Sequence, residues 1–366
     1  MMTTKAVGLY VHIPFCVRKC NYCDFCSKPP TASDFDRYFE RLEKELLHYR
    51  RSPKILIDSI FVGGGTPSLL PRGYFTRLFD LIKNTFDIDP LAEITTEINP
   101  GTLTREKVEE YKSVGINRVS VGLQTVHENE LKKLGRIHSY SDFLASYNLL
   151  REVGFANVSV DLMYGIPGQT AESLAKTLAT VTALNPDHIS LYGLIVEPGT
   201  PFGDACDTLP LPTEDEECDM YYMAADYLAR HGYTHYEISN YARDGYECKH
   251  NLKYWHNEEY IGIGAAAHSF FEGRRYGNSR DLFAITPDGD ADDVSTPEEY
   301  VMMHLRLREG FSLTEYRERY GTDFLEGRKE VISRLATAGL LTVAQDRLSL
   351  TECGFYVSNG ILAEIL

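Results

Sequence analysis

Four of the chain's eight cysteines fall within eleven residues, as Cys16-x3-Cys20-x2-Cys23-x2-Cys26. A disulfide framework is a poor account of this cluster. Such frameworks belong to short exported domains with little core, whereas this chain has 366 residues, 43% of them hydrophobic and 25% charged. Those fractions also set aside disordered and low-complexity classes. Three thiolates spaced four and three apart can wrap a compact loop around one cuboidal iron–sulfur cluster, for which thiolates are the usual ligands. With three protein ligands, one iron keeps the open coordination position that chemistry needs. The alternative is a structural zinc site using all four cysteines. Zinc sites normally pair two CxxC knuckles across a spacer; here the first gap is three residues and no second knuckle follows. Cys26 itself reads either as a fourth ligand or as a small apolar residue of the loop.

Six short apolar or β-branched runs, at 8–13, 58–62, 93–98, 117–122, 157–163 and 188–195, alternate with helical patterns at 34–50, 72–84, 105–113, 141–153, 170–184 and 213–231. The first helix carries an apolar stripe of Phe35, Tyr38, Phe39, Leu42, Leu46 and Leu47. Strictly alternating strands and helices predict parallel strands with right-handed crossovers. Six units fall short of a closed eight-fold barrel, so the expected fold is an α/β partial (βα)6 barrel. Polar motif residues sit where its strands should end: Gly63 to Pro67 (GGGTP), Glu97 to Pro100 (EINP), Gln124, and Asp161 before Tyr164 to Gly168 (YGIPG). The C-terminal strand ends are the active face of such barrels.

Residues 281–295 are polar, acidic and turn-rich, as a linker would be. Capping boxes at 296–299 and 312–315, a helix at about 326–338 and a hairpin at 340–344 and 348–350 then suggest a small α+β module resembling a winged helix. The expected domains are therefore 1–240, a connecting segment 241–295, and 296–366. Winged helices often bind DNA, but the net charge is -16 and no basic run is present. A lid or interaction role fits better, and no nucleic acid partner is expected. Mean hydropathy is -0.27, no apolar run approaches the ~18 residues of a membrane span, and residues 1–6 lack the apolar core of a signal peptide. The expectation is a cytoplasmic protein, with a peripheral membrane contact left open.

In residues 12–23, 63–67, 97–101, 117–124, 134–138, 161–169, 236–241 and 250–255 the chain resembles the radical S-adenosylmethionine superfamily. Within it, the chain resembles the branch of oxygen-independent coproporphyrinogen dehydrogenases and HemW-type heme chaperones. The resemblance implies a 4Fe–4S cluster on Cys16, Cys20 and Cys23, with S-adenosylmethionine chelating the fourth iron. Reduction of its sulfonium would release a 5′-deoxyadenosyl radical, so an electron donor is implied as a partner. Gly64, Gly65 and Thr66 would let backbone polar groups approach the methionine end; a plain tight turn is the alternative. Arg136 offers a planar fork to the methionine carboxylate. Glu97, Gln124 and Asp161 would meet its amino and ribose hydroxyl groups, or simply bond one another along the barrel rim. Tyr10 and Tyr22 would pack near the adenosyl group, or in the core; Ile195 and His268 match ligand-contact positions only weakly.

Within that branch, three features point to heme binding and transfer to an unidentified acceptor protein rather than to oxidative decarboxylation of coproporphyrinogen. The chain starts fifteen residues before Cys16, where the dehydrogenases carry a longer extension. Phe25 stands where they have an additional cysteine. His250, Asn251, Tyr254 and Trp255 form an HNxxYW string associated with the chaperone branch. His250 is a candidate heme ligand, imidazole being a common axial ligand; capping a loop is its structural alternative. Tyr254 and Trp255 would offer flat surface to a porphyrin.

Overall fold

The computed structural model describes residues 6–285, 292–293 and 296–366. The first five residues, and 286–291 and 294–295 of the expected linker, lie outside the described residues. The chain runs β1 (Val7–Ile13), α1 (Ala32–Leu47), β2 (Leu56–Gly64), α2 (Tyr74–Thr85), β3 (Asp87–Ile98), α3 (Arg105–Val114), β4 (Arg118–Gln124), α4 (Glu128–Leu134), α5 (Tyr140–Val153), β5 (Asn157–Tyr164), α6 (Ala171–Ala183) and β6 (His188–Gly193). Strands β1 to β6 pair in chain order, all parallel. All six expected strands are present. β3 starts six residues early, because a register shift lets Asp87 and Ile88 pair with Leu56 and Ile57 ahead of Pro90. β6 ends at Gly193, so Ile195 is outside the sheet and exposed.

Tyr38, Phe39, Leu42 and Leu46 of α1 are buried, but Leu47 is exposed, being one residue off the i, i+4 stripe. Their partners are the strand residues Leu9, Val11, Ile60 and Val62, in one continuous apolar core.

The sheet is open and continues past both edges of the parallel set. After α7 (Pro201–Asp204) and α8 (Glu214–Arg230), the hairpin of β7 (Thr234–Glu237) and β8 (Asn240–Ala242) adds antiparallel to β6. The chain then crosses to the opposite edge. Helix α9 (Lys249–Trp255) leads into β9 (Tyr260–Ile263), which pairs parallel with β1, and β10 (His268–Phe271), β11 (Arg274–Gly277) and β12 (Asp292–Asp293) follow antiparallel. The crossing thus sets α9 against β2 and lays β9 directly beside β1, with β10 one strand further out.

The last part comprises α10 (Pro297–His304), β13 (Phe311–Ser312), α11 (Leu313–Tyr320), α12 (Lys329–Thr337), β14 (Leu341–Ala344), β15 (Arg347–Leu350), α13 (Glu352–Tyr356) and α14 (Ser358–Ile365). It packs its own apolar cluster around Tyr300, Phe311, Phe324 and Leu348, joined by Tyr221 of α8. Thr296 and Ser312 accept from the backbone N–H of Glu299 and Glu315, but only these halves of the two expected capping boxes form. The Glu299 carboxylate pairs instead with Arg275, and the Ser312 hydroxyl also bonds Asp346. Among the described residues no helix is long and apolar enough to cross a membrane.

Candidate functional site

The cysteine loop leaves β1 and is fixed at both ends. Backbone bonds join Cys16 N–H to Lys28 O at 3.1 Å and Lys28 N–H to Pro14 O at 3.0 Å. Asn21 anchors its middle on the end of α4, giving its backbone N–H to Leu134 O at 2.9 Å and its side-chain amide to Lys133 O at 2.8 Å. So tethered, Cys16, Cys20 and Cys23 open onto one cavity of about 350 Å³, which Tyr22, Gly64, Gly65, Thr66, Glu97, Gln124, Arg136 and Asp161 also line. None of the three is in a disulfide. Burial pushes the Cys23 thiol pKa up, and the nearby Cys20 and Cys16 add to the effect.

Cys26 faces elsewhere. Its thiol donates to Arg280 O at 3.3 Å, and it lines a second cavity. Among the described residues no three His, Cys, Asp or Glu groups converge on one ion-sized point. The three thiols face a shared space instead, which suits a cluster whose ligands attach at separate corners.

The strand ends supply the opposite wall. A Cβ on Gly64 would lie 2.4 Å from the His12 ring, and one on Gly65 would lie 2.8 Å from the carbonyl oxygens of Ile13 and Phe15. These glycines are therefore required first by the close packing of the β2 end against β1, a cause the sequence reading did not supply. Thr66 Oγ1 lies 3.3 Å from Cys16 Sγ and accepts from Asn99 Nδ2 at 2.9 Å. Asn99 Oδ1 in turn accepts from Arg136 at 3.0 Å, and the other arm of the fork donates to Tyr22 OH at 2.8 Å. Arg136 Nε is buried without a partner, so the guanidinium has an unspent donor at a cavity wall. Thiols able to bind iron, and a fork able to bind a carboxylate, thus fit a cluster and an amino-acid ligand. Gln124 adopts φ 74° at a register shift of the β4–β5 pair. Bulges of this kind re-aim side chains beside active sites. Ser120 donates to Asp161 at 2.8 Å.

Glu97 accepts from Gly64 N–H at 2.9 Å. Burial, and then the charge of Asp161, push its pKa up to about 8 against the pull of Gly64 N–H and Arg136. Between the ordinary carboxyl pKa and that value, the folded chain holds this proton more tightly than the unfolded chain. Ionised Glu97 therefore costs stability as pH rises through the window. Glu97→Gln removes that titration. In the ligand-free protein, the Tm of Glu97→Gln relative to wild type should rise by at least about 2 °C between pH 5 and pH 9. An unchanged difference in differential scanning calorimetry at the two pH values would overturn this reading of Glu97.

Not every expected residue joins the cavity. Tyr10 lines the second cavity, its hydroxyl bonded to His12 Nδ1 at 2.9 Å, and His268 lines it too. Ile195 is exposed and lines neither. His250 is buried, with Nδ1 on Ser59 Oγ at 2.9 Å and Nε2 on Tyr254 OH at 2.8 Å. Burial lowers its pKa to about 3, helped by Lys253 and Arg118. Both nitrogens are committed, so the geometry is that of a core histidine. Trp255 lies against the buried carboxyl of Glu237. Asn99, absent from the expected set, is the link between Thr66 and Arg136; its position two residues after Glu97 was the available signal.

Residues 10–181 match the Radical SAM superfamily, and residues 296–357 match the HemN C-terminal domain. The chain is 37% identical over 372 residues to a protein named heme chaperone HemW from Bacillus subtilis (strain 168), with 98% of each chain covered. It is 35% identical over 376 residues to the one from Lactococcus lactis subsp. lactis (strain IL1403), covering 100% of this chain and 98% of the relative. The heme chaperone HemW of Escherichia coli (strain K12) is 34% identical over 377 residues, with 99% and 98% covered. Among solved structures, coproporphyrinogen III oxidase (HemN) from Escherichia coli, described as a radical SAM enzyme, has the same fold. Its TM-score is 0.84 at 23% identity, over 98% of this chain and 90% of that one. With relatives alike along nearly its whole length, and with the cysteine loop and strand ends arranged as above, the chain belongs to the HemW family of the radical S-adenosylmethionine superfamily.

Proposed function

We propose that this chain is a heme chaperone that binds heme and passes it to an acceptor protein. It carries a 4Fe–4S cluster on Cys16, Cys20 and Cys23 and S-adenosylmethionine in the cavity beside them. Family membership implies the cluster and S-adenosylmethionine; heme is suggested by what the relatives are named. The observation that supports the site is that three thiols and an arginine with an unspent donor open onto one cavity, while Cys26 faces another. When bound and reduced, such a cluster supplies an electron for cleaving a sulfonium.

The chain's own residues orient the ligand. Arg136, braced by Tyr22 and Asn99, would grip the methionine carboxylate with paired N–H donors. Glu97 would accept from the amino group, whose positive charge favours the ionised carboxylate that burial opposes. Asp161 and Gln124 would bond the ribose hydroxyls, and backbone groups of Gly64, Gly65 and Thr66 would face the methionine end.

A dehydrogenase acting on coproporphyrinogen is the second reading, and the likeness of fold to the Escherichia coli enzyme favours it. One assay separates the two. Anaerobic protein with S-adenosylmethionine, a reductant and coproporphyrinogen should yield no vinyl product above background, while the same preparation binds heme and loads an apo-heme protein. Stoichiometric loss of carbon dioxide from the propionates would assign the chain to the dehydrogenases.

A further inference from the structure

We infer that heme is held in the second cavity, with His268 as axial ligand to the iron and Arg280 as partner to a propionate. This rests on the heme-chaperone reading above. The cavity measures about 390 Å³, within the ~300–1,000 Å³ of small-molecule sites. Tyr10, Tyr254 and Tyr260 give it aromatic walls, the last two packed edge to face at 4.5 Å. Such walls suit a flat apolar macrocycle. Phe25 lines both this cavity and the one at the cysteines, so the two are neighbours.

An axial ligand needs an uncommitted ring nitrogen. Two histidines line the cavity, and His12 has both nitrogens engaged, Nδ1 with Tyr10 OH and Nε2 with Cys26 O. His268, an exposed residue of β10 at the cavity, has neither nitrogen hydrogen-bonded among the described residues. Its position has been made for a ring: Gly277 is its cross-strand partner, and a Cβ there would lie 3.0 Å from the imidazole. The other candidates in the cavity are occupied. His12 bonds Tyr10 and Cys26 O, and the Cys26 thiol donates to Arg280 O. Arg280 spends one guanidinium nitrogen on Asp24 O at 2.8 Å, leaving other donors for a carboxylate. His250 takes part through another residue. It is a positioning residue whose Nε2 holds the Tyr254 hydroxyl, so the HNxxYW string reaches the cavity by its tyrosine.

The test titrates ferric heme into anaerobic, cluster-loaded protein, read by absorbance, electron paramagnetic resonance and resonance Raman. His268→Ala should weaken binding by at least about tenfold and abolish the wild-type axial-ligand signature, and added imidazole should restore it. Gly277→Ala, which crowds the ring without removing it, should shift the signature. Arg280→Gln should weaken heme binding but not binding of heme dimethyl ester. His250→Gln should keep the signature. Melting curves confirm that each variant is folded. A wild-type signature and affinity in His268→Ala, or loss of the signature in His250→Gln alone, overturns the assignment while the chaperone reading stands. A wild-type protein that binds no heme overturns both.

Discussion

Alanine at Cys16, Cys20 or Cys23 should lower the iron and sulfide content of anaerobically reconstituted protein by at least about tenfold and remove its oxygen-sensitive visible absorption, while Cys26→Ala keeps both. The asymmetry follows from where the loop is held. Cys16 is fixed by the Phe15–Lys28 bridge, and Cys20 and Cys23 flank Asn21, which is tied to the end of α4. The three sulfurs therefore face one cavity. Cys26 lies beyond a backbone turned by the bond from His12 Nε2 to Cys26 O at 2.8 Å, and it faces the other cavity. A zinc site using all four sulfurs predicts the opposite pattern, with Cys26→Ala as damaging as the rest. Full cluster content in Cys20→Ala would remove the basis of the site.

The parallel strands were legible because apolar residues recur at every second position along them, as Val158, Val160 and Leu162 do in β5, all three buried. The edge strands were not. β9, β10 and β11 have four residues each, too few for a periodic signal. The motif residues announced themselves at strand ends, yet the faces they use did not. Tyr10 and His12 share one face of β1 by the two-residue repeat, and only the arrival of β9 beside β1 settles that this face meets the second cavity. Asn99 was missed because its work is a contact across 33 residues to Thr66 and 37 to Arg136. The His250–Tyr254 bond, by contrast, was within reach of the string alone, since i and i+4 adjoin on a helix.

Glu93→Ala should cost about 3–5 kcal/mol and lower the Tm by on the order of 10 °C, while cluster content stays at the wild-type level. Glu93 is buried at the start of α9. Its carboxylate accepts from the backbone N–H groups of Lys249 and His250, both at 3.2 Å, and from the Cys248 thiol at 3.5 Å. An acceptor there satisfies donors that a helix cannot satisfy itself, and its charge suits that helix end. Arg118, 2% exposed, interacts electrostatically with the same groups. Alanine would leave this guanidinium buried with less opposing charge, which is why the cost exceeds that of a lost cap. Glu93→Gln keeps an acceptor but not the charge and should fall between. Because α9 carries Tyr254 into the second cavity, heme binding should weaken in Glu93→Ala even at temperatures where it stays folded. Cys16, Cys20 and Cys23 hang from β1 and α4 instead, so iron content should not follow. A Tm within about 2 °C of wild type, or loss of cluster in parallel with heme, would show that Glu93 does not act by seating α9.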